Sequence, residues 1–397
     1  MAFGPNLTPF GREFKIGGYL LGSASQFPPV SGMVQGGFTN TQKDQQPPPA
    51  PGYNANNNFA LNQISAFYAG RIAGNFGAFS QLTYDGVANT VALDLTDVRY
   101  ANQTAMLNQD IVFGISANNA PTVQDPWNTG PVWGFPYATS PLAPTPGATA
   151  LIDGPLITTA GGGSIYGMIN HWLYLDAGAY TTFSKGSQKG LGAWSNSHLG
   201  LNGAAPYWRV ALQHEWDGQY AQIGSYGLQA KVFPGGDNSG GTDQYTDAAV
   251  DLTYQYLGTM QHIFELKSTY LHETQSLFAS RNLGLRNHNH GTLNTFRING
   301  AYTYEQIYQL TFAYNQTSGS RIFDIYNQEA GYANGHPNSE YFIVEVDYVP
   351  YGKATSLYQP WLNLRVGLQY IGYVQFNGTA YQAQNNNTLF LSGWLAF

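Results

Sequence analysis

The stretch WLNLRVGLQYIGYVQF, Trp361 to Phe376, decides how this chain folds. Its even positions read Leu362, Leu364, Val366, Leu368, Tyr370, Gly372, Val374 and Phe376. The odd positions read Trp361, Asn363, Arg365, Gly367, Gln369, Ile371, Tyr373 and Gln375. Apolar side chains recur at every second residue, the period of an extended strand with unlike faces. A strand of this length reaches about 50 Å at ~3.3 Å per residue, far beyond the ~5–6 residues of an ordinary soluble strand.

The same pattern returns along the chain. Phe342, Val344, Val346 and Tyr348 enclose Glu345 and Asp347, and Val250, Leu252, Tyr254 and Tyr256 alternate with Asp251 and Gln255. Phe264, Leu266 and Tyr270 stand against Glu265, Lys267 and Glu273. Trp208, Val210 and Leu212 oppose Arg209 and Gln213, while Phe296, Ile298 and Tyr302 oppose Arg297 and Asn299. Charge falls between the apolar residues and seldom among them. One face of each strand is thus fit to meet lipid, where a charge costs ~2–4 kcal/mol at the bilayer midplane.

Composition agrees. Of 397 residues only 10% are charged, against ~25% in typical globular domains, and 15% are aromatic. A soluble monomer of this make-up would expose large apolar patches. No run of Ala, Val, Ile, Leu, Met, Phe, Trp or Tyr exceeds four residues, whereas a membrane helix needs roughly 20. Helical spans are excluded, and recurring aromatic and aliphatic residues exclude disorder. A net charge of −7 has the wrong sign for a nucleic-acid binder. The absence of cysteine excludes disulfides, thiolate zinc sites, a catalytic thiol and a Cys-x-x-Cys-His haem attachment within this chain. The opening MAFGPNLTPFGREFK lacks the basic and apolar regions of a secretory signal. A mature or truncated form, or a start inside a longer gene, is the expectation.

Sixteen strands are predicted, at about 11–22, 59–72, 75–85, 91–101, 109–117, 162–169, 172–183, 205–216, 219–233, 244–257, 260–273, 293–304, 306–317, 340–349, 361–376 and 388–397. Tight turns follow even-numbered strands, at Ala73-Gly74, Asn170-His171, Asp217-Gly218, Gly258-Thr259 and Glu305-Gln306. Longer polar loops, notably 23–58, 118–161 and 184–204, follow odd ones. An even strand count with short turns on one rim is the plan of an outer-membrane barrel, and lipid demands closure. The predicted fold is all-β: a transmembrane antiparallel barrel of about 16 strands, of porin type, in a bacterial outer membrane. Residues 1–10 lead in, and 11–397 form the barrel. The terminal Phe397 resembles the signal by which bacterial machinery recognises barrel substrates. A soluble β-sandwich competes less well, since it calls for shorter strands and more charge.

Chemistry is harder to place. Parity assigns to the interior the acids Glu13, Asp85, Asp94, Asp176, Glu215, Asp247, Asp251, Glu265, Glu273, Glu345 and Asp347. It assigns the bases Lys15, Arg71, Arg209, Lys231, Lys267, Arg297 and Arg365. This excess of acid implies a mild cation preference if the lumen conducts; equally, the pairs neutralise and stiffen the wall. No catalytic constellation can be singled out. His288 and His290 read as a solvated loop rather than a metal site, and Asp237–Asp243 as a flexible turn rather than a calcium loop. His262 and His272 read as interfacial residues. Segment 119–160 carries eight of the 21 prolines. Its aromatics Trp127, Trp133, Phe135 and Tyr137 suggest a packed constriction or lid, with a rim loop as the alternative.

Two strings, LTPFGREFKIGGY (7–19) and PTVQDPWNTGPVWGFPY (121–137), resemble the porin-fused outer-membrane c-type cytochromes of iron-oxidising and related bacteria. The resemblance covers the barrel essentially end to end. It implies a signal peptide, then one Cys-x-x-Cys-His haem c site, then a segment similar to Leu-Thr-Pro-Phe-Gly-Arg running into the first strand. In this chain the haem motif would lie upstream of Met1. The implied activity is single-electron transfer across the outer membrane, from a donor such as Fe(II) to periplasmic electron carriers. A passive porin for small polar or cationic solutes is the alternative, and a structural or adhesive barrel a third.

Overall fold

Strand alternation closes this chain into a cylinder. Residues 9–20, 29–106, 108–192, 199–353, 355–358 and 361–397 are described by the structure, a computed structural model. Its strands are β1 (Val30–Thr41), β2 (Asn58–Ala73), β3 (Phe76–Asp85), β4 (Thr90–Met106), β5 (Gln109–Asn118), β6 (Ala160–Ile169), β7 (Leu173–Thr182) and β8 (Ala205–Trp216). They continue as β9 (Gln219–Phe233), β10 (Asp243–Tyr256), β11 (His262–Ser276), β12 (His290–Tyr304), β13 (Tyr308–Gly319), β14 (Ser339–Tyr348), β15 (Asn363–Gln375) and β16 (Thr388–Ala396). A two-residue pairing at Gly200–Leu201 extends the end of β9. Each strand pairs antiparallel with the next. β1 pairs with β16 from Met33↔Ala396 to Thr41↔Thr388, so no backbone edge is left open in hydrocarbon.

The alternation read in 361–376 becomes two faces. On β15, Leu368 and Tyr370 are 47% and 37% exposed, while Gln369 and Ile371 are 2% and 7% exposed. Phe113, Val210, Val250, Leu310 and Phe312 continue the exposed apolar band around the barrel. At one rim Asn170-His171, Asp217-Gly218 and Glu305-Gln306 place both residues in the left-handed region. That turn geometry matches the twist of the flanking strands. Long connections (42–57, 119–159, 277–289, 320–338), and with them 183–192 and 199–204, lie at the other rim. Residues 86–89 make a short connection at the long-loop rim, and 349–353, 355–358 and 361–362 lie at the short-turn rim.

The first expected strand is absent. Residues 9–16 form a helix, α1 (Pro9–Ile16), inside the barrel; residues 21–22 of that expected strand lie outside the described residues. Phe10 and Phe14, four apart, stack on one helix face, and Gly18 at φ 68 turns the chain out of the helix. The barrel begins at Val30, within what reads as loop 23–58. Gly32, Gly36 and Gly37 dilute the alternation of VSGMVQGGFTNT, which is why composition hides this strand. Gly77 on β3 has a spatial duty: a Cβ there would lie 2.1 Å from the Gly18 carbonyl oxygen, so only glycine lets the segment after α1 pass the wall.

Candidate functional site in the barrel lumen

Segment 119–159 folds into the lumen. Ala120, Thr122, Val123, Gln124 and Asp125 are fully buried, and Trp127 is 1% exposed. Asp125 organises the turn DPWNTG. It accepts the Trp127 N–H at 3.0 Å on one oxygen, and the Thr129 and Gly130 N–H groups, each at 2.9 Å, on the other. Arg209 of β8 then bridges Asp125 at 3.2 Å and Asp251 of β10 at 2.8 Å. All three side chains are shielded from water, so the pairing depends on this mutual neutralisation. The Trp127 indole donates to Gln213 at 3.1 Å and to Tyr220. Its ring meets Tyr174 edge-on and lies beneath the Arg209 guanidinium.

A second anchor lies nearer the long-loop rim. Leu151 N–H donates to Glu273 at 2.6 Å, Ile152 N–H donates to Asp247 at 2.9 Å, and Asp153 pairs with Arg297 at 2.9 Å. Ala150, Leu151, Ile152 and Leu156 pack on Tyr180, Tyr207, Tyr226, Leu228, Leu271 and Leu293. This part of the inner wall is apolar, although parity assigned Asp247 and Glu273 to the interior beside it, because the loop covers it. A third anchor is on the opposite wall. Gln369 donates to Ala138 O at 3.0 Å and Tyr373 to Pro144 O at 2.9 Å, and Ser140 meets Thr39 at 2.6 Å. Beside it Arg365 pairs with Glu345 at 2.7 Å and Asp347 at 2.6 Å.

Helix α1 lies between the loop and the short-turn mouth. Lys15 donates to Val123 O, Asp125 O and Asn128 Oδ1 at 3.3, 2.8 and 3.0 Å. Arg12 lies 3.5 Å from the Tyr220 ring centroid and donates to Gln255 at 2.5 Å. Arg99 of β4 donates to Lys15 O, Gln124 O and Asp97, and Tyr19 donates to Asp97 at 2.7 Å. Helix, loop and wall are thereby tied in one network.

Cavities remain among the described residues. One of about 890 Å³ opens at the short-turn mouth beside Arg12, Glu13, Glu215 and Tyr220. Another, of about 550 Å³, opens at the long-loop mouth beside Tyr245, Glu273, Tyr326 and Tyr332. A chamber of about 210 Å³ lies between the loop and β12–β15.

Of the charged residues assigned by parity, Asp176, Arg209, Asp247, Asp251, Glu265, Lys267, Glu273, Glu345, Asp347 and Arg365 are buried inside, and Lys267 pairs with Glu265 at 3.4 Å. Arg71 lies at the short-turn rim and donates to Leu20 O. Asp94 receives a bond from Thr83, and Asp85 from Val87 and Ala88 N–H groups. Lys231 is corrected: its neighbours Ala230 and Val232 are the buried ones, and it is exposed on the outer face. Glu13 and Lys15 act from the luminal helix, not from a strand. Trp127 and Phe135 are buried in the folded-in loop, while Trp133 and Tyr137 are half-buried there. Parity missed Asp97 and Arg99, although DVR in β4 carried the alternation. It had no means to find Asp125 or Asp153, which lie off the strands, and by turning Glu13 and Lys15 inward on an expected strand it left out Arg12, which the helix buries.

The donor set does not fit a covalently held haem, since the chain has no cysteine. Among the described residues no group of three His, Asp or Glu side chains is placed to hold a metal. No family model and no curated protein sequence matches the chain. Among solved structures it is similar to Salmonella typhi OmpF in complex with daunomycin, at 14% identity and TM-score 0.51, covering 93% of this chain and 97% of that one. It is also similar to the anion-selective porin from Comamonas acidovorans, at 11% identity and TM-score 0.50, covering 92% and 98% respectively. At such identity the likeness is one of fold. The closed strand order, the lipid-facing band and these neighbours together make the chain a sixteen-stranded outer-membrane barrel with the porin fold.

Proposed function

We propose that the protein is a narrow passive channel that admits small polar solutes past its folded-in loop, with a bias towards cations. The observation that carries this reading is a closed barrel with a water-accessible cavity at each mouth and a smaller chamber between loop and wall. The bias rests on charge: among the described residues Asp94, Asp176, Asp247 and Glu273 form no ion pair, which outweighs Lys15 on its carbonyl oxygens, whereas Arg99, Arg209, Lys267, Arg297 and Arg365 each have a carboxylate partner. Unpaired luminal carboxylates leave a negative field that favours cation entry. Planar-bilayer recording tests this directly. Small stepwise conductances and a cation-selective reversal potential in a salt gradient are expected. Silence from folded, inserted protein would remove the channel, and an anion-selective reversal would remove the bias.

A second reading, electron transfer across the outer membrane, is favoured by one observation. Helix α1, which lies within the string 7–19 that carries the cytochrome-porin resemblance, is seated in the lumen against Tyr166, Tyr220 and the loop. Such a role needs haem c on a segment other than these residues, with periplasmic electron carriers as partners. Reading the gene in frame upstream of Met1 tests it: a Cys-x-x-Cys-His codon run supports it, and its absence removes it.

A further inference from the structure

We infer that the chamber against β12–β15 is a binding site for a neutral polyhydroxylated ring, of the size and chemistry of a monosaccharide. The inference rests on the channel reading for access and deepens it by naming a solute class. The chamber's volume of about 210 Å³ equals that of about seven waters at ~30 Å³ each, enough for one six-membered polyol ring and too little for a chain of them.

Its lining points to hydroxyl groups rather than ions. Thr295 and Thr317 face it from the wall, and Thr139 and Thr149 face it from the loop. Asn315 of β13 also lines it; that side chain is 6% exposed and its Nδ2 has no hydrogen-bond partner. A buried amide donor left unmatched is unfavourable, and a ligand oxygen at that place would satisfy it. Arg297 supplies the one charge that reaches the chamber with substantial exposure. Its side chain is 30% exposed, whereas Arg99, Arg209, Lys267 and Arg365 in the other luminal pairs are at 0 to 6%. The guanidinium is already neutralised by Asp153, with both carboxylate oxygens at 3.0 and 2.9 Å from Nη2.

The local charge is therefore balanced, so a bound cation or anion would lack a counter-charge while a neutral polyol would not. Tyr341 and Tyr373, with ring centroids 5.2 Å apart, complete the chamber with aromatic surface. Few polar groups set in an apolar lining is the usual make-up of a small-molecule site.

Saturation-transfer NMR on the full chain in detergent micelles tests the site without requiring conduction. The probes are D-glucose, glucuronate and glucosamine, which share a pyranose scaffold and differ in charge. Saturable transfer to glucose is expected, with glucuronate and glucosamine at least tenfold weaker. Asn315→Leu and Thr317→Val, each checked for native heat-modifiable mobility, should each weaken glucose at least tenfold. Absence of saturable transfer to glucose, tighter binding of either charged probe, or unchanged glucose affinity in the folded variants would overturn the assignment. Thr317→Val keeps side-chain volume and decides the matter if Asn315→Leu does not fold. Glucose binding by a protein silent in bilayers would sink the channel and leave the site. Conductance without glucose binding would do the reverse.

Discussion

Replacing Trp127 by alanine is the sharpest test of the luminal plug. The indole is 1% exposed, donates to Gln213, meets Tyr174 edge-on and lies under Arg209. Truncating a buried Trp to Ala costs about 3–5 kcal/mol, a figure that includes the lost hydrogen bond and the stacking on the guanidinium. The barrel's own ladder does not use this ring, so the cost falls on the seating of the loop. At about 1.4 kcal/mol per tenfold, the displaced-loop population rises by roughly two to three and a half orders of magnitude. Single-channel recording should show frequent openings larger than those of the parent. Trp208→Ala, on the lipid face and 42% exposed, should leave the conductance histogram alone. If Trp127→Ala, folded and inserted, recorded the same histogram as the parent, the claim that this side chain holds the loop across the lumen would be wrong.

Two further outcomes follow from the same geometry. Leu368→Arg places a charge on the outer face of β15 and should lower folding stability in lipid vesicles by ~2–4 kcal/mol. An unchanged urea midpoint would contradict the outward assignment of the even positions. At the long-loop rim, Asp324 accepts from Asn287 N–H at 2.7 Å, Asn287 Nδ2 at 3.0 Å and His288 Nδ1 at 3.3 Å. The backbone N–H of Asn287, helped by His288, holds its pKa below the ordinary carboxylate range. The clasp is thus present above the unfolded value of ~3.9 and is lost as pH falls through the lower folded value. Hydrogen exchange in 277–289 and 320–338, corrected for intrinsic rate, should stay flat down to about pH 4 and rise as the pH is lowered further, and Asp324→Asn should abolish that step. A flat profile in the parent would refute the clasp.

Much of the barrel was legible because the signal is local. Leu368 and Gln369 differ in fate through the parity of neighbouring positions alone, and Glu305-Gln306 marks a turn by interrupting that parity. Pairing with lipid rather than water follows from the same alternation joined to the low charge content, so strand faces and membrane setting were fixed residue by residue. The identity of the first strand was not, because glycines in 30–41 weaken the pattern while FGREFK mimics it. Nor was the plug. Arg209 finds Asp125 and Asp251 only when β8, β10 and the returning loop converge, and Lys15 finds Asp125 O across 110 positions of sequence. Local alternation tells a side chain which way to face; which distant partner it meets inside a closed cylinder depends on closure itself, and only the tertiary structure supplies that.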